Sequence, residues 1–314
     1  MKFVIVSPRQ KWGGAIVLHA LCKCLENLGY SASIFYTEVY GYDRKKPIRF
    51  WAKWILYTLK DFLKSVCAQL TQDEKRFSEY LNPSIKGCRR KVLPWVDDQS
   101  IVVYSDTVFG NFLDAKNVVR WFLYHNRYKN QAGAYGENDL FVCYREVFND
   151  VDLNPNKLTV HTPYFDLDTY KQYNFGERHG TCYVVRKGID RPDLPKEFDG
   201  TIIDNLSEKE KVKVLNECEY CISYDTQTSY SEIAALCGCI SIVVPEPGKT
   251  KADYIGPDDC SDGIAWGFSD EEMNHAKQTR HMIYIQYLEL NESSRKSAEE
   301  FARICEVYFK KDIT

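Results

Sequence analysis

The sequence predicts an α/β protein with two domains, each built on a doubly wound parallel sheet. Three observations support this fold class. The chain has 314 residues, which is long for one hydrophobic core and suits two domains of ordinary size. Short apolar runs alternate along the chain with segments of helical periodicity, as they do in βαβ units. Polar or glycine-containing turns follow several of these runs, where the carboxyl ends of parallel strands would lie.

The first domain is predicted for residues 1–163. An apolar strand at Lys2–Val6 leads into a loop with Gly13 and Gly14, then into a helix with apolar residues at spacings of three and four. The paired glycines would let a substrate approach the backbone at the amino end of this helix. Four further apolar runs of this domain predict strands: Ser31–Tyr36, Ile101–Tyr104, Asn117–Leu123 and Leu140–Tyr144.

The second domain is predicted for residues 164–292, after a proline-containing linker at Thr162–Asp168. Ser207 and Glu210 form a capping-box pattern that starts a helix. Residues 293–314 are expected to form a terminal helix that returns to the first domain. Four apolar runs of the second domain predict strands: Thr181–Val185, Thr201–Asp204, Tyr220–Tyr224 and Ile240–Val244.

A cluster of hydroxyl side chains follows the strand predicted at Tyr220–Tyr224. It consists of Thr226, Thr228 and Ser229, and a short helix is expected directly after it. Because ligands of parallel sheets bind at the carboxyl ends of strands, this turn suits a phosphate or diphosphate. Ser229 and Glu232 also have capping-box spacing, and a cap alone would explain that pattern.

Two adjacent cations, Arg186 and Lys187, follow the strand predicted at Thr181–Val185. They would lie at the same edge of the sheet as the hydroxyl cluster. Arginine can bind a phosphate through two parallel hydrogen bonds, and lysine binds it as a point charge. The sequence therefore favours a diphosphate site here, and a solvated pair of loop residues is the alternative.

The segment Glu219–Pro247 resembles the donor-binding motif in the C-terminal domain of GT-B glycosyltransferases. In that family a hydroxyl-rich turn holds the diphosphate of a nucleotide sugar, and a helical glutamate binds the ribose. The resemblance implies that Glu232 is the ribose ligand and that Thr226, Thr228 and Ser229 contact the diphosphate. It also implies that Arg186 and Lys187 stabilise the leaving group in place of a metal ion.

A second resemblance lies in the first domain, between Val102 and Trp121. This block is similar to one in glycosyltransferases of bacterial capsule and cell-surface polysaccharide loci. Those enzymes usually have Pro-Glu where this chain has Ser105-Asp106, and Asn-Pro where it has Asn111-Phe112.

Asp106 is the candidate catalytic base on the acceptor side, because a carboxylate at a strand end can accept a hydroxyl proton. Asn111 is a candidate substrate-binding residue. An aspartate that caps its own turn is the alternative for Asp106, and His19 is a rival base.

A basic, aromatic segment at residues 44–70 predicts an amphipathic helix that carries Trp51 and Trp54. Such a helix can lie in the interface of an anionic bilayer, and an ordinary core-facing helix with solvated lysines is the alternative. The chain opens on a strand pattern without a leader, so we expect a cytoplasmic protein, peripheral at the inner face of the membrane.

The bulk composition limits the classes of partner and cofactor. The net charge is −3, which does not predict a nucleic-acid-binding protein. The Gly-x-Gly-x-x-Gly fingerprint is absent, so we do not expect a nicotinamide or flavin cofactor. Twelve cysteines are spread over apolar positions and predict reduced core thiols, with a zinc site at residues 218–239 as the alternative.

The sequence as a whole predicts two Rossmann-like domains that face a cleft, as in the GT-B fold. The expected activity is a metal-independent glycosyltransferase of surface polysaccharide assembly. It would use a nucleotide sugar as co-substrate, and a saccharide or lipid-linked saccharide as acceptor. Two alternatives keep the same fold: a sugar-nucleotide epimerase, and a non-catalytic nucleotide-binding partner subunit.

Overall fold

A computed structural model describes residues 1–9, 13–81, 85, 87–129, 131–255 and 261–310. The chain divides into two compact units. Unit 1 comprises Met1–Tyr164 and Leu290–Thr314, and unit 2 comprises Phe165–Glu289. Each unit has one sheet, and every strand pair in the described residues is parallel. The predicted α/β class with two parallel sheets is confirmed.

The sheet of unit 1 has six strands in the order β3-β2-β1-β4-β5-β6, which is the strand order of a Rossmann fold. From β1 the chain first adds β2 and β3 on one side and then returns to add β4, β5 and β6 on the other side. The strand order therefore reverses between β1 and β4. The strands are β1 Lys2–Ser7, β2 Ser31–Tyr36, β3 Arg90–Lys91, β4 Ser100–Ser105, β5 Asn117–Phe122 and β6 Leu140–Cys143.

One part of the core of unit 1 lies between this sheet and two helices, and the other lies on the face covered by α2. Helix α1, Gly13–Asn27, packs Leu18, Leu21 and Leu25 against the buried strands. The end of the C-terminal helix adds Phe301, whose ring lies 5.8 Å from that of Phe3. Strands β1, β4 and β5 are buried at nearly every position because neighbours cover both of their faces.

The predicted basic helix is α2, Pro47–Thr71, and the shorter α3, Glu74–Leu81, follows it. An ion pair on its inner face holds α2 in place. The Asp61 carboxylate accepts hydrogen bonds of 2.6 Å from Arg9 Nε and from Arg90 Nη2. Asp61 is 2% exposed, so its buried charge depends on the neighbouring cations.

The tryptophans of α2 face the core of unit 1. Trp54 stacks on Phe35 of β2 with ring centroids 5.9 Å apart, and Trp51 meets Phe50 edge to face at 5.2 Å. For these two indoles the core-facing alternative is confirmed, and binding of α2 to a membrane stays a prediction. Their flat rings fill the space between the helix and the sheet.

The sheet of unit 2 has five strands in the order β11-β10-β9-β7-β8. Counted from the first strand of the unit, the order is 2-1-3-4-5, which is the second common order of doubly wound sheets. It reverses between β7 and β9. The strands are β7 Thr181–Val184, β8 Thr201–Ile202, β9 Tyr220–Ser223, β10 Ile240–Val243 and β11 Ile264–Trp266.

Two predicted helix starts in unit 2 differ in outcome. Helix α4, Glu208–Glu217, begins with the predicted capping box between Ser207 and Glu210, which is confirmed. Helix α5, Tyr230–Leu236, has no side-chain cap from Ser229, so that predicted capping box is wrong. The hydroxyl of Thr228 accepts the Tyr230 N–H at 3.3 Å instead.

The terminal helix begins much earlier than the predicted segment at residues 293–314. Helix α6 runs from Asp270 to Lys310, and its last turns bury Ala298, Phe301 and Cys305 in the core of unit 1. The sequence also missed β3, β11 and α3. Strands β3 and β11 have three residues or fewer, and helix α3 has eight. Elements of this length are too short for a clear periodic pattern.

The eleven cysteines in the described part of the chain are all free, and most of them are buried. Cys182 and Cys221 lie side by side on β7 and β9, and both are fully buried. Within the described residues, no group of three or more His, Cys, Asp or Glu side chains could hold a metal ion. None of the described helices combines the length and the apolar character that a membrane-spanning segment requires.

Candidate functional site

The candidate site of unit 2 lies where the strand order reverses, at the carboxyl ends of β7 and β9. Ligands of doubly wound sheets bind at this kind of position, because the two chain segments leave the edge in opposite directions. Arg186 and Lys187 follow β7 directly, and the turn Asp225–Ser229 follows β9. The strands are neighbours in the sheet, so the two segments meet.

Arg186 begins a short 3₁₀ turn, Arg186–Gly188, with a backbone φ of 35°. A side chain other than glycine rarely adopts this conformation, so neighbouring groups must hold it. The Asp204 carboxylate, just beyond β8, does so by accepting hydrogen bonds from the backbone N–H groups of Arg186 at 2.8 Å and Val185 at 3.1 Å. Asp204 thereby fixes the direction in which the two cations leave the sheet.

Gly188 brings the same turn into close contact with the end of β9. A Cβ atom at this position would lie 2.3 Å from the carbonyl oxygen of Tyr224, so no larger residue fits without a shift. Arg191 strengthens the join, because its Nη1 donates to the carbonyl oxygens of Tyr224 at 3.1 Å and Val244 at 2.7 Å. The segment after β7 is thus tied to the ends of β9 and β10.

The two cations contact the turn after β9 through their side chains. Arg186 Nη1 donates to Thr228 Oγ1 at 3.3 Å, and Lys187 Nζ donates to the carbonyl oxygen of Gln227 at 3.1 Å. Both side chains are exposed. Neither forms an ion pair with a carboxylate in the described residues, so two positive charges remain available to an anionic ligand.

The hydroxyl residues of the turn lie beside these cations. Thr226 and Thr228 are half-buried, and Ser229 is exposed directly before α5. The hydroxyls can donate to phosphate oxygens while the cations balance their charge. The structure therefore brings together five of the predicted residues: Arg186, Lys187, Thr226, Thr228 and Ser229.

Asp225 is a residue of this edge that the sequence reasoning missed. It is 2% exposed, and its Oδ1 accepts the Gln227 N–H at 3.1 Å. Its Oδ2 has no hydrogen-bond partner within the described part of the structure. A buried carboxylate oxygen without a donor is unusual, and a ligand hydroxyl would satisfy it. The sequence signal was its place directly after a buried strand.

Glu232 lies in the first turn of α5 and is half-buried. Burial raises the pKa of its carboxyl, and a hydrogen bond with Tyr287 of α6 acts in the opposite direction. It makes no hydrogen bond with Arg186 or Lys187. Its assignment as ribose ligand stays a prediction.

The candidate site of unit 1 also lies where the strand order reverses, at the ends of β1 and β4. Asp106 follows β4 and is 4% exposed. Its Oδ1 accepts the Leu123 N–H at 3.2 Å, and its Oδ2 accepts Arg127 Nε at 3.1 Å. Burial raises the pKa of Asp106, whereas the positive charge and hydrogen bond of Arg127 lower it.

Gly13 and Gly14 open α1 on the β1 side of the same edge, and Gln10–Trp12 of the preceding loop lie outside the described residues. Neither glycine has a positive φ. A Cβ on Gly13 would meet open space, and one on Gly14 would lie 3.4 Å from a methyl group of Leu123. Local geometry does not demand glycine here, and both residues are exposed.

Asn111 closes a turn in the loop after β4. Its Oδ1 accepts hydrogen bonds from the Tyr104 hydroxyl at 3.0 Å and from the Ala115 N–H at 3.1 Å, and its Nδ2 donates to the Ala115 carbonyl at 2.9 Å. These bonds use Oδ1 twice and one of the two N–H donors of Nδ2, which leaves one N–H for a further partner. Its predicted contact with substrate stays a prediction.

His19, the rival base, is 5% exposed and has a partner on each ring nitrogen. Nδ1 lies 2.6 Å from the carbonyl oxygen of Ala15, and Nε2 lies 2.8 Å from the Tyr36 hydroxyl. Burial and the nearby charge of Arg9 lower the pKa of His19. A neutral ring with Nδ1–H donating to the carbonyl satisfies both contacts, which leaves Asp106 as the base candidate.

These features define the class: an α/β protein of two parallel sheets with a polar edge at the reversal point of each. No protein-family model matches the chain, and no curated protein matches it. The function is therefore inferred from the chemistry of the two edges.

Proposed function

We propose that the protein is a metal-independent glycosyltransferase of the GT-B class that uses a nucleotide sugar as donor. The observation that carries this proposal is the contact of Arg186 and Lys187 with the turn after β9. Two unpaired cations beside three hydroxyls match the charge and geometry of a diphosphate. The acceptor would be a saccharide or lipid-linked saccharide of surface polysaccharide assembly.

The donor residues would act on the leaving group. As the bond between the anomeric carbon and the diphosphate oxygen breaks, its electron pair passes to that oxygen. Arg186 and Lys187 stabilise the negative charge that develops there, as fixed cations do in other transfer reactions. Asp225 Oδ2 offers an acceptor for a hydroxyl of the sugar, and Glu232 would bind the ribose hydroxyls.

Asp106 would act on the acceptor. The acceptor hydroxyl oxygen forms the new bond to the anomeric carbon, and its proton passes to the Asp106 carboxylate. The support for this role is the position of Asp106 at the point where the strand order of unit 1 reverses. Arg127 lies beside it and favours the ionised carboxylate that a base needs. Gly13 and Gly14 would leave room for the acceptor at the same edge.

The test is a thermal-shift and calorimetric panel of UDP, GDP, dTDP, CMP, NAD and NADP on the wild type, Lys187→Ala and Lys277→Ala. A ligand of the native state raises the midpoint according to its affinity. We expect one nucleoside diphosphate to bind, with an affinity about tenfold weaker in Lys187→Ala, because an exposed charged hydrogen bond contributes about 1.4 kcal/mol. Lys277→Ala removes an equally exposed lysine of unit 2 and should bind like the wild type.

Two results would contradict the proposal. One is stabilisation by NAD or NADP alone, which would point to a dehydrogenase. The other is equal nucleotide affinity of the wild type and Lys187→Ala. If the nucleotide binds as expected, incubation of the matching nucleotide sugar without acceptor separates an epimerase, which converts the sugar, from a transferase.

A further inference from the structure

The outer surface of α2 is apolar and has no partner among the described residues of unit 1. The side chains that form it are more than a third exposed: Ile48, Ile55, Leu56, Leu59, Phe62, Leu63, Val66 and Leu70. At 3.6 residues per turn they fall within an arc of about 120°. A contiguous apolar patch of this kind on a protein surface marks an interaction site. We call these eight residues the apolar face of α2.

A row of cations borders this face on one side. Arg49, Lys53, Lys60 and Lys64 are all exposed and occupy the adjoining arc of about 60°. None of them forms an ion pair within the described residues. The helix has one acidic residue, Asp61, and that residue is buried against Arg9 and Arg90 on the opposite side. The exposed surface of α2 therefore carries only positive charge.

The inner contacts of α2 explain why this face cannot turn inward. Phe50, Asp61 and Ala68 are buried on the core side, and Trp54 stacks on the sheet there. The Asp61 ion pairs fix the rotation of the helix about its axis. A rotation that buried Leu59 or Leu63 would leave a carboxylate without its cations, which is strongly unfavourable.

We infer that the apolar face of α2 binds the surface of an anionic lipid bilayer, with the helix lying in the plane of the interface. The aliphatic side chains would enter the acyl boundary, while the lysines reach the lipid phosphates with their long stems. The 25 residues of α2 extend over about 37 Å, which gives a long line of contact. This inference does not depend on the proposed transferase activity.

Charge favours a bilayer over a second copy of the chain. In a two-fold helix pair, the cation row of one protomer would need carboxylates on its partner, and the exposed surface of α2 has none. Anionic headgroups supply the missing charge, and each lysine or arginine near such a surface adds to the affinity. The absence of a spanning helix among the described residues agrees with surface binding.

The experiment is co-sedimentation of the full chain with vesicles of phosphatidylcholine alone and of phosphatidylcholine with a third phosphatidylglycerol. Two double variants remove the two halves of the surface: Leu59→Glu with Leu63→Glu, and Lys60→Glu with Lys64→Glu. All four side chains are exposed, so the fold should persist, and circular dichroism checks this. The matched controls are Val147→Glu with Phe175→Glu, and Lys116→Glu with Lys277→Glu.

We expect the wild type and both controls to bind the anionic vesicles, and high salt to weaken that binding. Each α2 variant should lower the partition coefficient by at least about tenfold. Equal binding of the wild type and the α2 variants would overturn the inference. A second result would also overturn it. In that result the wild type is a dimer in gel filtration and does not bind vesicles, and Leu59→Glu with Leu63→Glu is a monomer. A second copy of the chain would then cover the face.

Discussion

Asp106 combines burial with a single nearby cation, and this balance sets how it can act. Burial disfavours its charged form and raises its pKa, while Arg127 favours the charged form. Arg127 is itself 56% exposed, so solvent weakens its influence. A carboxylate in this balance takes up a proton more readily than an exposed aspartate does, which suits a general base.

The pH dependence of activity follows from the same balance. In Arg127→Gln the cation is lost, so the pKa of Asp106 should rise further. A base must be ionised to act, and the acidic limb of the kcat/KM profile should therefore move to higher pH than in the wild type. The profile of each enzyme, measured with the donor identified by the nucleotide panel, checks this.

Arg145→Gln is the control for this prediction, because it removes another exposed arginine of unit 1. Its profile should match that of the wild type. An unchanged acidic limb in Arg127→Gln would show that Asp106 is not the group that titrates, and the role of base would then have to pass to another residue.

At this scale the sequence predicted residue types better than residue contacts. Arg186, Lys187 and Thr228 could be selected because they follow strands of a parallel sheet. The engagement of Asn111 with Tyr104 and Ala115 could not, since both partners depend on how the loop folds back. Asp225 was overlooked because a single aspartate after a strand does not reveal whether its second oxygen has a donor.

The 3₁₀ turn after β7 is the element that presents the cations, and Asp204 is its anchor. Two backbone N–H groups donate to one carboxylate, and they hold Arg186 at a positive φ. Without this anchor the turn can relax to ordinary backbone angles. The distance from Lys187 to the turn after β9 would then no longer be fixed.

Asp204→Ala should therefore weaken both stability and nucleotide binding. We expect a loss of about 1–3 kcal/mol in the free energy of unfolding, because two hydrogen bonds to a charged group disappear. Nucleotide affinity should fall although Asp204 does not reach the proposed ligand. Urea unfolding and calorimetry measure the two effects.

Asp204→Asn separates positioning from folding in this experiment. Both N–H groups donate to the same oxygen, Oδ2, and an amide oxygen in its place can accept both without the negative charge, so affinity and stability should recover in part. If Asp204→Ala binds nucleotide as tightly as the wild type, the turn does not need its anchor to present the cations.

Helix α2 shows where periodicity stops being informative. Its apolar residues surround more than half of the helix, so the pattern predicted a helix but not which side faces the core. The choice is made by Asp61, whose two cations come from residues far away in the sequence, and by Phe35 of β2. For this reason the sequence left open whether the tryptophans face the core or a membrane.

On the scale of the whole molecule, each unit has its own buried core. Strand existence could be predicted from apolar runs, and nine of the eleven strands lie where the sequence placed them. The strand orders could not be predicted, because they depend on pairings between distant segments. Those orders decide that the ends of β7 and β9 meet, and so they decide which predicted residues form a site.

Helix α6 belongs to both units along the chain, and its last turns complete the core of unit 1. Phe301→Ala should lower the stability of unit 1 by about 3–5 kcal/mol, because the phenyl ring is 1% exposed and packs on Phe3. Tyr308→Ala on the same helix removes a side chain that is 41% exposed and should have a much smaller effect. Denaturant unfolding compares the two, and equal losses would mean that the ring of Phe301 contributes little.

The distribution of thiols offers a practical consequence. Among the described cysteines Cys67 is the exposed one, and it lies on α2, whereas Cys260 falls outside the described residues. In a Cys260→Ser background, a maleimide dye would therefore attach preferentially beside Val66 and Leu70. The emission of a polarity-sensitive dye at Cys67 changes when its surroundings change from water to an apolar phase. The natural thiol of α2 can therefore report whether this helix contacts a membrane or another protein.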